Sequence, residues 1–251
     1  PRPTWDRKGS STEFDEFEWF TTLKKTLFMD ELITKHKAIM DQYDPEKRIG
    51  LIVDEWGTWY DVEPGTNPGF LYQQNTLRDA LVAGINLNIF HNHCDRVHMA
   101  NIAQTVNVLQ SVILTEWEKI VLTPTYHVFN MYKVHQDAEL LSLEFDSPKY
   151  TLENEEIPQI SASASVDAGN RINISLCNLN PNDGIDITCE LRGSNISKVT
   201  GTILTSTEMN AHNTFQSPET LKPSEFNGAS IESNVLKVSL PSKCVVVLTV
   251  K

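Results

Sequence analysis

Apolar residues recur at helical spacing from Glu13 to about Tyr43. Phe20, Leu23 and Leu27 lie on one face, and Leu32, Ile33, Ile39 and Met40 continue the stripe. Lys24, Lys25, Lys35 and Lys37 fall on the other side, as a solvated face would. Thr12-Glu13-Phe14-Asp15 reads as the helix start, a hydroxyl cap followed by carboxylates where the helix dipole favours them. Asp44-Pro45 ends it, because proline cannot continue a helix. The continuous apolar run Ile49–Val53 then predicts a parallel strand buried on both faces, with Asp54-Glu55-Trp56 at its C-terminal end. Pro64-Gly65 and Pro68-Gly69 mark a loop. Leu71 to about Ala83 reads as helix, Gly84 as its break, Ile85–Phe90 as the next strand and Met99–Leu109 as another helix. Helices alternating with strands, with polar residues gathered after each strand, are the grammar of a (β/α) barrel.

The rhythm changes near Glu144–Pro148. Beyond it the period falls to two, as in Arg171-Ile172-Asn173-Ile174-Ser175-Leu176. Ile160–Val166, Arg171–Leu179, Ile185–Leu191, Val199–Leu204, Val235–Leu240 and Cys244–Val250 read as short strands separated by Gly, Asn, Asp and Pro. That spacing predicts an antiparallel, jelly-roll-like β-sandwich over residues 146–251, after an α/β unit over residues 1–145.

Composition narrows the partners. The 251 residues are 40% apolar, enough for a core, and carry a net charge of −12, which argues against a nucleic-acid partner. No apolar run is long enough for a transmembrane helix, so no membrane partner is expected. Cys94, Cys177, Cys189 and Cys244 are widely spaced and read as reduced, buried thiols. There is no Gly-rich phosphate loop and no G-x-S-x-G elbow, and no cofactor is expected. The opening Pro1-Arg2-Pro3-Thr4-Trp5-Asp6 has no signal-peptide pattern and reads as a loop.

The chemistry concentrates at Asp54-Glu55-Trp56. A carboxylate just past a buried strand costs free energy unless it is paired or functional. Neighbours on a strand point to opposite sides, so one of Asp54 and Glu55 faces a pocket while structural partners hold the other. Trp56, Trp59 and Tyr60 offer flat apolar faces of the kind on which the CH faces of sugars stack, which suggests a carbohydrate site. The alternative is a surface acid beside core aromatics. His91, His93, Cys94 and Asp95 form a compact group of possible metal ligands, but the preferred reading is that His93 lines or braces the sugar pocket and that no metal is held. Asp95-Arg96 reads as an ion pair or cap.

Val53-Asp54-Glu55-Trp56-Gly57-Thr58-Trp59-Tyr60 resembles the nucleophile segment of family 51 glycoside hydrolases, the α-L-arabinofuranosidases. Ala80-Leu81-Val82-Ala83-Gly84-Ile85-Asn86 is similar to that family's next helix and strand. Asp95-Arg96-Val97-His98-Met99-Ala100-Asn101-Ile102-Ala103-Gln104-Thr105-Val106-Asn107-Val108 is similar to its last barrel loop and helix. Thr123-Pro124-Thr125-Tyr126-His127-Val128-Phe129 continues the likeness.

The resemblance implies a retaining exo-glycosidase that takes terminal α-L-arabinofuranosyl units from arabinan or arabinoxylan oligosaccharides. Glu55 would be the nucleophile and Asp54 would turn into the barrel wall. Gln104 would hydrogen-bond the furanose, Trp59 would flank the leaving-group side, and Trp56 and His93 would complete the pocket. The family's acid/base is a glutamate after an asparagine on an earlier strand. Asn154-Glu155 sits instead in the polar linker before the sandwich, and Asp61 and Glu63 lie on the loop of Glu55 itself. The expectation is therefore the C-terminal part of a (β/α)8 TIM barrel, beginning after its sixth strand and followed by a complete sandwich. Its implied partners are the missing N-terminal half of the barrel and further copies in a homo-oligomer, a hexamer by resemblance. A parent acting on xylan or β-glucan, and a non-catalytic carbohydrate-binding or assembly module, are the alternatives.

Overall fold

The computed structural model describes residues 8–251; the opening loop read at 1–6 lies outside the described residues. Helix α1 spans Glu16–Tyr43. Its cap is Asp15, not Thr12. The Asp15 carboxylate accepts the Glu18 N–H at 3.0 Å while Glu18 accepts the Asp15 N–H at 3.1 Å, a reciprocal capping box. The Thr12 and Glu13 N–H groups go instead to the Ser10 hydroxyl. Trp19, Phe20, Leu23 and Ile33 are buried, whereas Leu32 and Ile39 of the expected stripe are exposed.

Strand β1 (Leu51–Trp56), helix α2 (Leu77–Asn92) and strand β2 (Val97–Ile102) form a β-α-β unit whose strands pair in parallel. Two expectations are corrected here. Ile85–Phe90 is not a strand, because α2 runs unbroken through Gly84 from a capping box of Thr76 and Asp79. Met99–Leu109 is not a helix, because β2 occupies its first part. The cause is burial on all sides. A helix without a solvated face loses its 3.6-residue signature, and here buried Asn86 and Asn88 alternate with Ile85, Leu87 and Ile89 as the residues of a strand would. Gly84 is there for close approach, since a Cβ on it would lie 2.6 Å from Cys177 Sγ and 3.2 Å from the Tyr132 hydroxyl. The hairpin β3 (Ile113–Glu116) and β4 (Lys119–Leu122) leads to α3 (Pro124–Tyr132), capped by Thr123 with proline in its first turn. Residues 123–129 thus belong to the helical layer.

The remaining strands are β5 (Glu139–Leu141), β6 (Lys149–Leu152), β7 (Glu155–Pro158), β8 (Ile160–Val166), β9 (Ile172–Asn178), β10 (Ile185–Glu190), β11 (Val199–Thr205), β12 (Ser224–Glu225), β13 (Ala229–Glu232), β14 (Val235–Leu240) and β15 (Cys244–Val250). A six-stranded sheet, ordered β12-β11-β15-β9-β8-β5, faces a three-stranded one, ordered β10-β14-β13. The six expected strands match β8, β9, β10, β11, β14 and β15 to within a residue at each end; the short β5, β12 and β13 were not expected, and β5 lies before the boundary expected at 145/146. The hairpin β6–β7 packs on α1, with Tyr150 edge-on to Phe20 at 5.1 Å. Glu153-Asn154 is its turn, and Glu155, the first residue of β7, pairs with Lys24.

The large sheet is buried on both faces. Cys244, Val246, Leu248 and Val250 of β15 enter the sandwich core, while Val245 and Val247 join the core of the helices. Burying such aliphatic side chains contributes about 1.5–3 kcal/mol each. The helix-facing side also carries a polar seam. Asn88 of α2 accepts from Ser163 at 2.9 Å and Ser175 at 2.7 Å, and donates to Ser161 at 3.2 Å. His91 meets Ser163 at 3.1 Å and His135 meets Ser165 at 2.8 Å, with the two imidazoles 4.7 Å apart.

Two predictions follow from this packing. Gly84→Ala should lose about 1–3 kcal/mol in urea unfolding through overpacking, and the loss should shrink in a Cys177→Ala background; an unchanged midpoint refutes the close approach. Burial also pushes His91 down to about 4, and burial with the neighbouring His91 pushes His135 down to about 3. An unfolded histidine titrates near 6.5, so the pair's contribution is complete above that pH. As pH falls toward the folded values, stability should drop by about 1.4 kcal/mol per unit for each ring. Urea midpoints at pH 7 and pH 5 check this, and equal values would count against it.

Candidate active site

Strand β1 carries the two candidate carboxylates to the C-terminal end of the β-α-β unit. Its register against β2 slips there. Val53 faces Ala100 and Trp56 faces Ile102, so β1 spends one more residue than its partner. This bulge falls on Asp54 and Glu55. A bulge interrupts alternation and re-aims side chains, and both residues are exposed rather than one being turned into a wall. The Ala103 N–H then closes the pair on the Trp56 carbonyl at 2.9 Å. That contact brings the loop bearing Gln104, also exposed, beside the end of β1.

The turn after β1 depends on Gly57, whose φ of +132° is disfavoured for a side-chain-bearing residue. Beyond it Thr58 is locked from two sides. Its N–H reaches Gln110 Oε1 at 2.9 Å and its hydroxyl donates to Asp79 Oδ1 at 2.7 Å. Asp79 Oδ2 accepts the Thr76 N–H at 2.8 Å, so one carboxylate caps α2 and holds the turn. Gln110 donates to the Asp79 carbonyl at 2.8 Å and Thr125 Oγ1 at 3.1 Å. Burial raises the Asp79 carboxyl above its ordinary value against the pull of Arg78. The Arg78 guanidinium lies 3.7 Å from the Phe14 ring and 4.1 Å from that of Tyr60, which pins the outgoing loop. The box Thr76-Leu77-Arg78-Asp79 starts α2 at Leu77, six residues after the start expected at Leu71; its second task required the fold.

Glu55, Gln104 and Trp59, 38% exposed with Lys8 Nζ 4.5 Å from its ring, gather at this end. Two expected site residues do not. Trp56 is 4% exposed, with Phe90 at 5.4 Å and Phe129 at 5.9 Å, so it is core and offers no face to a sugar. His93 caps the C-terminus of α2, and 16 helical residues rise about 24 Å, which puts it at the opposite end of the unit from Glu55. There its Nε2 lies 2.7 Å from Asp30, whose carboxyl is held below its usual range chiefly by that bond. The correction follows from α2 absorbing the supposed strand.

The neighbouring group disperses as well. Asp95 pairs with Lys37 and Lys47, not with Arg96. Arg96, fully buried, binds Asp44 at 2.8 Å and also Asp41. Cys94 is exposed rather than buried, while Cys177 and Cys244 are buried. Among the described residues no group of three His, Cys, Asp or Glu is placed to hold a metal. Glu63 staples the loop by accepting the Ser11 hydroxyl and the Gln74 N–H. An exposed carboxylate, an amide and an aromatic face around one strand end can bind a hydroxylated ring and present an oxygen nucleophile to it. Thr58→Val keeps the volume and strips Asp79 of a donor, so thermal or urea unfolding should show a loss of about 1–3 kcal/mol; unchanged stability would show the lock to be idle.

Residues 54–243 match the family model described as the alpha-L-arabinofuranosidase C-terminal domain. The intracellular exo-alpha-L-arabinofuranosidase of Bacteroides ovatus is 47% identical over 242 residues, covering 96% of this chain and 47% of that protein. The intracellular exo-alpha-(1->5)-L-arabinofuranosidase of Streptomyces lividans is 25% identical, over 85% of this chain and 34% of its own length. Among solved structures, the GH51 arabinofuranosidase from Xanthomonas axonopodis pv. citri superposes with a TM-score of 0.97 at 48% identity, covering 98% of this chain and 50% of that one. The chain spans about half the length of the Bacteroides and Xanthomonas proteins and about a third of the Streptomyces one.

Proposed function

The chain belongs to the alpha-L-arabinofuranosidase C-terminal domain family, and from that membership we propose that it is the C-terminal part of a retaining exo-α-L-arabinofuranosidase. In this reading the elements through α3 complete the end of a (β/α)8 barrel, the sandwich begins with β5 at Glu139, earlier than the boundary at 145/146 expected from the sequence, and Glu55 is the nucleophile. The parent works in the cytoplasm on arabinofuranosyl oligosaccharides, a reading supported by the word intracellular in the names of the Bacteroides ovatus and Streptomyces lividans relatives, and it assembles as a homo-oligomer. The observation that supports the reading is the exposed Glu55 at the C-terminal end of a parallel strand, where the register slips, next to the loop of Gln104. Catalytic groups of such barrels sit at that end.

A Glu55 carboxylate oxygen attacks the anomeric carbon and forms an ester as the glycosidic C–O bond breaks. The departing oxygen takes a proton from a second carboxyl group about 5–5.5 Å from the first, supplied by the other half of the barrel. Water then attacks the same carbon, gives its proton to that second group, and frees Glu55. Gln104 holds the furanose and Trp59 flanks the leaving-group side. The lock on Thr58 keeps the loop beyond Glu55 in place without a cost at the moment of reaction.

In the parent enzyme, Glu55→Ala should drop hydrolysis of an aryl α-L-arabinofuranoside to background, and azide should restore part of the turnover as a glycosyl azide. The isolated chain should stay at background on the same substrate. Near-native turnover by the variant would remove Glu55 from the role, and efficient turnover by the isolated chain would mean that both carboxyl groups lie within it.

A further inference from the structure

Two buried side-chain amides grip the backbone of the turn that leaves the candidate nucleophile. Strand β1 ends at Trp56, and among the described residues no strand pairs with residues 57–60. The Thr58 N–H goes instead to Gln110 Oε1 at 2.9 Å, and the Tyr60 N–H to Gln73 Oε1 at 2.8 Å. Gln73 Nε2 turns back on the same segment, 3.2 Å from Thr58 Oγ1 and 3.4 Å from the Thr58 carbonyl. In a sheet, the N–H groups of residues two apart point the same way, toward a partner strand. Here two glutamines from separate loops take that partner's place. Burial alternates as along a strand: Thr58 and Tyr60 are buried, and Trp59 between them is exposed.

Both glutamines are themselves held. Gln73 is 1% exposed and Gln110 0%, so neither can touch a sugar. Gln110 Nε2 donates to the Asp79 carbonyl at the start of α2 and to Thr125 Oγ1 in α3. Thr125 donates onward to Asn75 Oδ1 at 3.2 Å, which ties α3 to the loop ahead of α2. Gly57 admits the Gln110 side chain, since a Cβ there would lie 3.2 Å from its Oε1. Amides suit the task. Each accepts a backbone N–H and donates in return, whereas a carboxylate could only accept and would add a charge to a dry region that already holds Asp79. Glu55 has its own anchor upstream of this grip, the bond from the Ala103 N–H to the Trp56 carbonyl at 2.9 Å.

We propose that Gln73 and Gln110 are positioning residues that act through Trp59. By fixing the backbone on both sides of that residue, they hold its indole in the orientation that meets substrate. They therefore set substrate binding and leave the bond-breaking step at Glu55 alone. The proposal rests on the catalytic reading above, which sets Trp59 beside the substrate.

The test uses the parent enzyme with Gln73→Met and Gln110→Met, which keep the volume and remove the amide. On an aryl α-L-arabinofuranoside each should raise KM about threefold or more while kcat changes less than about twofold. In a Trp59→Ala background the same substitutions should leave KM within about twofold of that background's own value, because the residue they act through is gone. Equal rises in both backgrounds, a fall in kcat at constant KM, or no change at all would overturn the proposal. Gln73→Glu, which keeps the acceptor for Tyr60 and loses the donor to Thr58, replaces Gln73→Met with the same expectation if that variant does not fold. A measurement without substrate judges the grip directly. Acrylamide quenching of the Trp59 emission, taken as the difference from Trp59→Phe, should rise in Gln73→Met, and unchanged quenching refutes the proposal. A wild-type parent that cleaves no arabinofuranoside would count against the catalytic reading, while the quenching result would still judge the two glutamines.

Discussion

An asparagine buried between a helix and a sheet must find its hydrogen bonds there or cost the fold several kilocalories per mole. Asn88 finds them on Ser161, Ser163 and Ser175, and the position of α2 follows. The seam allows α2 one register over β8 and β9, and Gly84 lets it settle close against Cys177. A purely apolar contact would tolerate sliding; a row of amide-to-hydroxyl bonds does not. His91 and His135 extend the row and stay neutral because no charge could be solvated in that seam.

Both ends of α2 inherit that register. Its N-terminal cap, Asp79, spends its second oxygen on Thr58 and so fixes the turn that follows the candidate nucleophile. Its C-terminal end hands the chain through His93 and Arg96 into β2, the strand that pairs with β1. The sandwich is therefore more than an appendage. Trp19 of α1 donates to the Leu179 carbonyl at 2.9 Å, and one hydrophobic core runs from α1 through α2 to the outer face of the large sheet. Through the loop that holds Asn213, the same domain also bonds the Leu122 carbonyl at the end of β4.

How far the sequence could be read depended on how many faces of an element are buried. β8, β14 and β15 were legible to their ends, since β14 alternates and β8 and β15 are bounded by turn residues. α2 and β2 were not. In Ile85-Asn86-Leu87-Asn88-Ile89-Phe90 buried asparagines alternate with apolar residues, a period of two that reads as a strand, and the misassignment there displaced β2 as well. The displaced boundary also misplaced His93, and strict alternation misled at Asp54 because a bulge leaves no mark in composition. Trp56 shows the converse limit: an aromatic beside a carboxylate reads the same whether it faces ligand or core, and only Phe90 and Phe129 decide.

By itself the sequence determined the family likeness, six of the sandwich strands and the place of Glu55 at the end of a strand, because these rest on local patterns of a few adjacent residues. Only the tertiary structure decided which side chains share that strand end, why Gly84 belongs inside a helix, and that Asp79 and Gln110 converge on the turn after Glu55. Those contacts join residues far apart in the chain. Burial and hydrogen-bond satisfaction, which are properties of the packed whole, select them.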